Sequence, residues 1–326
     1  MVLGAARGRV VVTGAGGFIG RAVIPALIAR GFDVRGLLRD DSPSLGDAEV
    51  RVVGDLTQMN QSALAGMLND AVAVVHLAAR VHVTARADAQ AACQAMNVDV
   101  TERLARAAAA CGIAHFVFAS SIKVNGEVTQ PGHPFRETDA PKPHDAYARS
   151  KWEAESALAR VAASTGLRVT ALRLPLTYGP EAKANFAALV RAIRRGIPLP
   201  LAGIDNRRSL LGIGNFADAL ATVLADTDVR AAGQCSTWLL ADSGAVSTSA
   251  LARAIGQAVG VPARLFALPP RMLHVLASML GREESLARLT GSLEVDARSF
   301  RERFGWSPPY SLQQGLAAAL APASPL

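Results

Sequence analysis

The sequence has few cysteines, and no hydrophobic run in it is long. Its three cysteines lie far apart without the spacing of metal ligands, and an odd number does not suit a complete disulfide framework. The most apolar stretch, residues 107–119, is interrupted by His115 and falls short of the roughly 18 residues that a membrane-spanning helix needs. We therefore expect no disulfides, no metal site and no membrane insertion.

Lysine is also scarce, and the charge pattern argues against nucleic acid as a partner. The net charge is +7, but the basic residues are mostly arginines scattered along the chain, without a zinc finger or an aromatic-rich RNA-binding signature. We interpret this excess as compositional bias together with an anionic small ligand. Arg7 and Arg9 interrupt the weakly apolar start, which disfavours a signal peptide and predicts a cytoplasmic protein.

Short β-branched runs alternate with helical segments through the first 175 residues. This rhythm is typical of βαβ units, and it predicts an α/β fold of the Rossmann type, a doubly wound parallel sheet with helices on both faces. We assign residues 1–178 to a dinucleotide-binding domain, to which a segment near 213–243 returns. The rhythm loosens afterwards, so residues 179–326 are assigned mainly to a smaller mixed α/β lobe that binds the substrate.

A glycine-rich segment, VVVTGAGGFIGRAV, joins the first predicted strand to the first helix through Gly14, Gly17 and Gly20. Glycines at this position allow a tight turn and a close approach of the backbone to a pyrophosphate, and the helix N-terminus offers N–H groups to phosphate. The position at the first βα crossover predicts dinucleotide binding. Phe18 and Ile19 belong to the same segment and are included in the predicted cofactor site.

The end of the second strand bears on the choice of dinucleotide. An acidic residue there would hold the ribose 2′-hydroxyl of NAD, but FDVRGLLRDD places Leu38 at that position and Arg39 after it. An arginine fork suits a 2′-phosphate, which favours NADP(H) over NAD(H). Two alternatives stay open: Arg39 is a solvated loop residue, or Asp40 and Asp41 are the ribose ligands.

Tyr147 and Lys151 stand four residues apart in DAYARSKWEAE, so they share one face of a predicted helix. Both side chains normally titrate near pH 10 or above. The same spacing also occurs on helices where the ring packs and the lysine stem follows the surface, so the pair alone is a weak signal of catalysis.

The order of several motifs is more specific. TGAGGFIG, GDLT, HLAA, FASSIKVNGE and YARSK occur in the order found in the extended short-chain dehydrogenase/reductases, and the sequence resembles that family over nearly its whole length. SSIKVNGE, KANF, NRRSLL and FGWSPP are similar to the bacterial nucleotide-sugar epimerase and 4-ketoreductase branch used in surface polysaccharide synthesis.

The resemblance implies roles for the pair and for its neighbours. Tyr147 would be the general acid/base, Lys151 would bind the nicotinamide ribose and lower the tyrosine pKa, and Ser121 would hydrogen-bond the reacting oxygen. Ser120 is an alternative to Ser121, since only one of two adjacent strand residues faces the site. The further cofactor contacts that the resemblance implies are Asp55, Leu56, Leu77, Ala78 and Ala79.

The predicted substrate contacts are Ser121, Lys123, Asn185 and Arg208. Lys123 reaches the substrate or is a solvated loop lysine. Asn185 in KANF and Arg208 in NRRS match places where related enzymes hold uridine diphosphate, and an arginine fork fits phosphate. The sequence leaves open whether Arg207 or Arg208 points inward.

These assignments predict an NAD(P)-dependent oxidoreductase acting on a UDP-linked sugar. NADPH-dependent reduction of a UDP-4-keto-6-deoxy-N-acetylhexosamine is the favoured reaction. The alternative is a 4-epimerase of UDP-glucose or UDP-N-acetylglucosamine with a retained NAD, and a remote third is a non-catalytic dinucleotide sensor. Homodimers formed through helices are common in the family that the sequence resembles.

Overall fold

The computed structural model describes residues 7–40, 45–81, 86–182, 184–228, 231–279, 281 and 283–321. Asp41, one of the two alternative ribose ligands, lies outside the described residues. Within these ranges, no helix combines the length and the apolar character that crossing a membrane would require.

A parallel sheet of seven strands forms the centre of the described structure. Strands are numbered along the chain: β1 Arg7–Thr13, β2 Phe32–Leu38, β3 Glu49–Val52, β4 Ala71–His76, β5 His115–Ser121, β6 Arg168–Leu174, β7 Leu176–Tyr178, β8 Leu210–Gly212 and β9 Cys235–Leu239. The sheet order is β3-β2-β1-β4-β5-β6-β9, while β7 and β8 pair separately. The order reverses between β1 and β4, and ligands of such sheets bind at the carboxyl ends beside this switch point. The predicted Rossmann-type fold is confirmed.

Helices cover both faces of the sheet. They are α1 Phe18–Ala29, α2 Gln61–Met67, α3 Arg86–Cys93, α4 Val100–Ala110, α5 Ala146–Thr165, α6 Ala184–Arg194, α7 Ile213–Ala225, α8 Thr248–Val259, α9 Pro270–Met279, α10 Glu283–Thr290, α11 Arg298–Phe304 and α12 Leu312–Leu320. One apolar core packs α1 and α7 against the sheet, and a second packs α2, α4 and α5 on the opposite face. Strands covered on both sides explain the near-continuous apolar runs of the sequence.

Helix α5 carries the Tyr147–Lys151 pair, and local interactions fix its ends. The Asp145 side chain accepts a hydrogen bond from the Ala148 backbone N–H at 2.7 Å and caps the helix N-terminus. Gly166, with a φ of 78°, ends it in the left-handed conformation. The helix therefore starts just before Tyr147, at the carboxyl end of the sheet.

Two predicted elements differ from the structure. The sequence pattern predicts one long helix over residues 88–110, but the structure has a π-helical segment, Gln94–Asp99, between α3 and α4. The apolar segment RLFAL, residues 264–268, predicts a strand, and this prediction is wrong, because Leu265 makes only an isolated parallel bridge with Leu199. Leu199 lies between Pro198 and Pro200, which have no backbone N–H to extend a ladder.

The segment after residue 212 joins the main sheet. Helix α7 packs on α1, and β9 pairs with β6 in parallel register from Val169–Cys235 to Arg173–Leu239. A third apolar core lies around α6, α8 and α12.

Candidate active site

The glycine segment is shaped for close backbone contact. Gly14 has a φ of +68°, and a Cβ on it would lie 2.7 Å from the backbone N of Ala78. A Cβ on Gly20 would lie 2.5 Å from the carbonyl oxygens of Gly14 and Ala15. Gly17 caps α1 without a side-chain hydrogen bond, and the first turn of α1 contains no acidic residue. This helix N-terminus is thus suited to an anionic group such as a pyrophosphate.

A cleft of about 670 Å³ opens above the glycine segment at the carboxyl ends of β1, β2 and β4. Its wall contains eight of the predicted cofactor residues: Gly14, Gly17, Arg39, Asp55, Leu56, Leu77, Ala78 and Ala79. Phe18 and Ile19 instead pack against the apolar core beneath α1. The cleft has the position, the backbone cradle and the mixed polar and apolar wall that a dinucleotide needs.

Arg39 and Asp55 lie on the outer wall of this cleft. The Arg39 Nε is 2.8 Å from the Asp40 carboxylate, and both side chains are exposed. The Asp55 carboxylate accepts hydrogen bonds from the N–H and hydroxyl of Thr57 at 2.9 and 2.8 Å. These bonds, with the positive charge of Arg39, lower the pKa of Asp55. The cleft thus offers both a cation for a phosphate and a carboxylate for a ribose.

A buried hydrogen-bond chain supports the floor of the cleft. The Thr13 hydroxyl lies 2.7 Å from His76 Nδ1 and accepts a bond from the Ala78 N–H at 3.3 Å. His76 Nε2 lies 2.9 Å from the Thr101 hydroxyl. Burial, and then the charge of Lys151, lower the His76 pKa to about 3, so the ring is neutral. Sequence reasoning did not find Thr13 or Thr101 as supports.

Ser121, Tyr147 and Lys151 come together at the end of β5. The Ser121 side chain lies close enough to the Tyr147 hydroxyl to act toward a lower pKa of Tyr147. The Lys151 Nζ donates to the Ala119 carbonyl at 2.8 Å and lies 5.9 Å from the centre of the Tyr147 ring. Ser120 points away, because its hydroxyl donates to Glu155 at 2.5 Å. Strand alternation therefore selects Ser121 over Ser120 as the hydroxyl beside the tyrosine.

The surroundings of the pair shift both pKa values. Burial lowers the pKa of Lys151 to about 7, although the negative charge of Glu155 acts to raise it. Burial, followed by the negative charge of Asp145, raises the pKa of Tyr147, and the nearby Ser121 side chain acts in the opposite direction. The protein's own groups thus favour the neutral phenol. The lower pKa of Tyr147 that the resemblance implies therefore requires additional positive charge near the tyrosine.

The other predicted substrate residues, Lys123 and Asn185, differ in their surroundings. Lys123 is held by two carboxylates, with its Nζ 2.6 Å from Asp145 and 3.2 Å from Glu127. Sequence reasoning did not single out Asp145, although an Asp two residues before the tyrosine is a typical helix cap. Asn185 lies exposed on the first turn of α6.

Arg208 is the inward member of its pair. Its Nη1 donates to the carbonyls of Arg288 and Gly291 at 2.7 and 2.9 Å, at the C-terminal end of α10. Arg207 is exposed and ion-pairs with Glu294 at 2.7 Å. The pKa of Asp145 is lowered chiefly by its hydrogen bonds with Lys123 and the Ala148 N–H, against the effect of burial, and the charge of Arg288 acts in the same direction. Arg288 had no recognisable signal in the sequence because no motif contains it.

The fold and this site define a dinucleotide-dependent enzyme of the Rossmann type. Residues 10–235 match the model of the NAD dependent epimerase/dehydratase family. The chain belongs to this family, and the resemblance predicted from its motifs is confirmed, as is the prediction of an enzyme.

Two curated relatives match over almost their whole length. A UDP-glucose 4-epimerase of Vibrio cholerae is 35% identical over 310 residues, which cover 94% of this chain and 92% of the relative. A UDP-glucose 4-epimerase of Mycolicibacterium smegmatis is 30% identical over 327 residues, covering 95% and 96%. Among solved structures, MoeE5 in complex with UDP-glucuronic acid and NAD superposes with a TM-score of 0.76 at 26% identity, covering 95% of this chain and 97% of MoeE5.

Proposed function

We propose that the protein is a UDP-hexose 4-epimerase that retains NAD. The observation that carries this proposal is the assembly of Ser121, Tyr147 and Lys151 at the carboxyl end of β5, in a sheet whose carboxyl edge also carries the dinucleotide cleft. The full-length similarity to two UDP-glucose 4-epimerases supports it. This reverses the preference for the reductase that the sequence suggested, because both curated relatives described above are UDP-glucose 4-epimerases.

NAD, when bound, supplies reversible hydride transfer. The protein's own residues have separate tasks. Tyr147 holds and moves the proton of the sugar hydroxyl, and Ser121 hydrogen-bonds that oxygen. Lys151, when protonated, binds the cofactor ribose and stabilises the phenolate of Tyr147. Gly14 and Gly17 admit the pyrophosphate, and Asp55 binds the adenosine end of the cofactor.

On the substrate side, Arg208 and Arg288 supply positive charge for the UDP diphosphate, and Lys123, which is paired with Asp145 and Glu127, is a further polar contact. Arg208 and Arg288 are joined at the end of α10, and the charge of Arg288 acts on Asp145 beside Tyr147. Arginine suits diphosphate because its planar fork donates two parallel hydrogen bonds. Asn185 is the proposed uridine-side contact.

NADPH-dependent reduction of a UDP-4-keto sugar is the second candidate. It is favoured by Arg39 on the cleft wall and by Leu38 at the position of an acidic ribose ligand. Against it, Arg39 is paired with Asp40, and Asp55 offers a carboxylate to the same cleft.

The test is to purify the protein, release and identify any bound dinucleotide, and incubate the enzyme with UDP-glucose or UDP-N-acetylglucosamine without added cofactor. Bound NAD and equilibration of the C4 epimers would support the proposal. Release of NADP, no epimerisation, and oxidation of added NADPH by a UDP-4-keto sugar would favour the reductase. An Arg39→Ala variant then separates the cofactors, because only NADPH affinity should fall.

A further inference from the structure

One face of α5 carries three polar residues that lie against three successive residues at the end of β5. Tyr147, Lys151 and Glu155 follow one another at intervals of four, so they form a stripe along the helix. The Ala119 carbonyl accepts a hydrogen bond from Lys151, and the Ser120 hydroxyl donates one to Glu155. Ser121, the next residue of β5, is near enough to Tyr147 to act on its pKa. The stripe thus extends one turn beyond the proposed catalytic pair, to a carboxylate.

Glu155 is buried and fully engaged. Its two carboxylate oxygens accept from the Nε and Nη2 of Arg173 at 3.0 and 2.6 Å. Arg173 is also buried, and its Nη1 donates to the Asn125 side chain at 2.9 Å. Buried ion pairs of this kind are weak sources of stability, because desolvation offsets the attraction. The Glu155–Arg173 pair adjoins α5 and β5, which carry the proposed catalytic residues. We therefore expect it to have a role other than stabilising the fold.

The titratable groups around Lys151 come from four elements. His76 on β4 is neutral and Cys93 on α3 is a thiol whose pKa burial raises, so neither supplies a full charge near neutral pH. Tyr147 on α5 is a neutral phenol by the same reasoning. Glu155 is therefore the charged partner of Lys151 among these groups, and it acts in favour of the ammonium form. Arg173, on β6, is the counter-charge that limits this effect.

We propose that Glu155 and Arg173 are positioning residues that jointly set the charge of Lys151 in the catalytic site. Glu155 keeps the buried ammonium protonated, and Arg173 keeps Glu155 from drawing it out of reach of the cofactor ribose. The proposal rests on the proposed function for the role of Lys151, but its electrostatic part concerns the protein without cofactor.

The scarcity of lysine makes a direct measurement practical. Lysine occurs only at positions 123, 142, 151 and 183, so protein labelled with ¹³C at lysine Cε gives few signals, and a Lys151→Met variant assigns the signal of interest. The titration midpoint of Lys151 should fall in Glu155→Gln and rise in Arg173→Met, each by about one pH unit. Arg173→Lys should keep the native midpoint.

The matched control is Asp226→Asn, which breaks the Arg168–Asp226 pair of 2.5 Å at the other end of β6. It should leave the Lys151 midpoint unchanged. If a single variant does not fold, the double variant Glu155→Gln/Arg173→Met, which leaves no unpaired buried charge, should titrate between the two single-variant expectations. A native midpoint in Glu155→Gln or Arg173→Met, or shifts of the same sign, would overturn the proposal.

Enzyme kinetics separate this result from the proposed function. In an active enzyme, the alkaline limb of kcat/KM should move in the direction of the measured Lys151 midpoint. Opposite NMR shifts without any epimerase activity would uphold the electrostatic role and reject the proposed reaction. Epimerase activity with unshifted titrations would do the reverse.

Discussion

At the scale of single residues, the site consists of groups whose ordinary protonation would make them inert. Lys151 is 2% exposed, and burial brings its pKa from 10.5 to about 7. Its ammonium is therefore easily lost when the site is empty and stabilised when negative or polar groups approach. Tyr147 lies beside it as a neutral phenol that can release a proton only when positive charge is nearby.

Replacing Tyr147 with phenylalanine should remove the transferable proton and little else. We expect turnover to fall by about 10²- to 10⁴-fold, the usual contribution of a general acid/base. Dinucleotide affinity should stay close to native, since the ring is retained. Steady-state kinetics and a fluorescence titration with NAD(H) measure the two quantities.

Tyr310→Phe is the matched control, because the Tyr310 side chain is half exposed at the far end of the chain. It should retain native turnover. Full activity of the Tyr147→Phe variant would remove the tyrosine from the mechanism.

At the scale of elements, two helices illustrate opposite uses of glycine. Gly20 in α1 has no room for a Cβ, whereas a Cβ on Gly66 in α2 meets nothing within 4 Å. Gly20→Ala should therefore destabilise the fold by about 1–3 kcal/mol, as overpacking does. Gly66→Ala should stabilise it by about 0.4–1 kcal/mol through the loss of unfolded-state freedom. Urea denaturation of both variants tests the pair, and equal effects would contradict the packing argument.

Helix α10 depends on Arg208, which bonds two carbonyls at its C-terminal end. Arg208→Ala should lower UDP affinity by about 10- to 100-fold, as expected for lost hydrogen bonds to a charged group. Dinucleotide affinity should not change. Titration calorimetry with UDP measures this affinity in the native protein and in the variant.

Arg207→Ala serves as the control for that experiment, since the neighbouring Arg207 side chain is exposed and paired with Glu294. Its UDP affinity should be native. Equal losses in the two variants would mean that long-range charge, not the inward position of Arg208, determines binding.

At the scale of the whole molecule, buried neutral histidines make stability depend on pH. Burial lowers the pKa of His115 to about 3, well below its ordinary value of 6.5. The unfolded chain binds the proton more readily, so stability is complete above pH 6.5 and is lost as the pH falls toward 3. At about pH 5, His115 alone should cost about 2 kcal/mol of unfolding free energy.

The His115→Gln variant should lose less stability between neutral pH and about pH 5 than the native protein does. Glutamine keeps a polar group near the Thr170 hydroxyl, which lies 2.9 Å from His115 Nε2. His133→Gln, at an exposed position, should behave like the native protein. An equal loss of unfolding free energy between the two pH values in all three proteins would contradict the assignment of this pH dependence to His115.

The sequence by itself determined the βαβ pattern and the glycine turn, because each depends on residues close together in the chain, and it determined the family through the order of short motifs along the chain. Short apolar runs between helical segments specify the strands, and Gly14 and Gly17 lie in one local turn that leads into α1. The spacing of Tyr147 and Lys151 placed them on one helical face for the same reason.

Tertiary structure decided what depends on neighbours distant in sequence. The choice of Ser121 over Ser120 required the position of α5, and the inward turn of Arg208 required α10, some 80 residues later. The pKa shifts of Tyr147, Lys151 and His76 come first from burial, which no local pattern encodes. The Glu155–Arg173 pair likewise exists only because β6 lies against α5, so that two opposite charges far apart in the chain meet out of water.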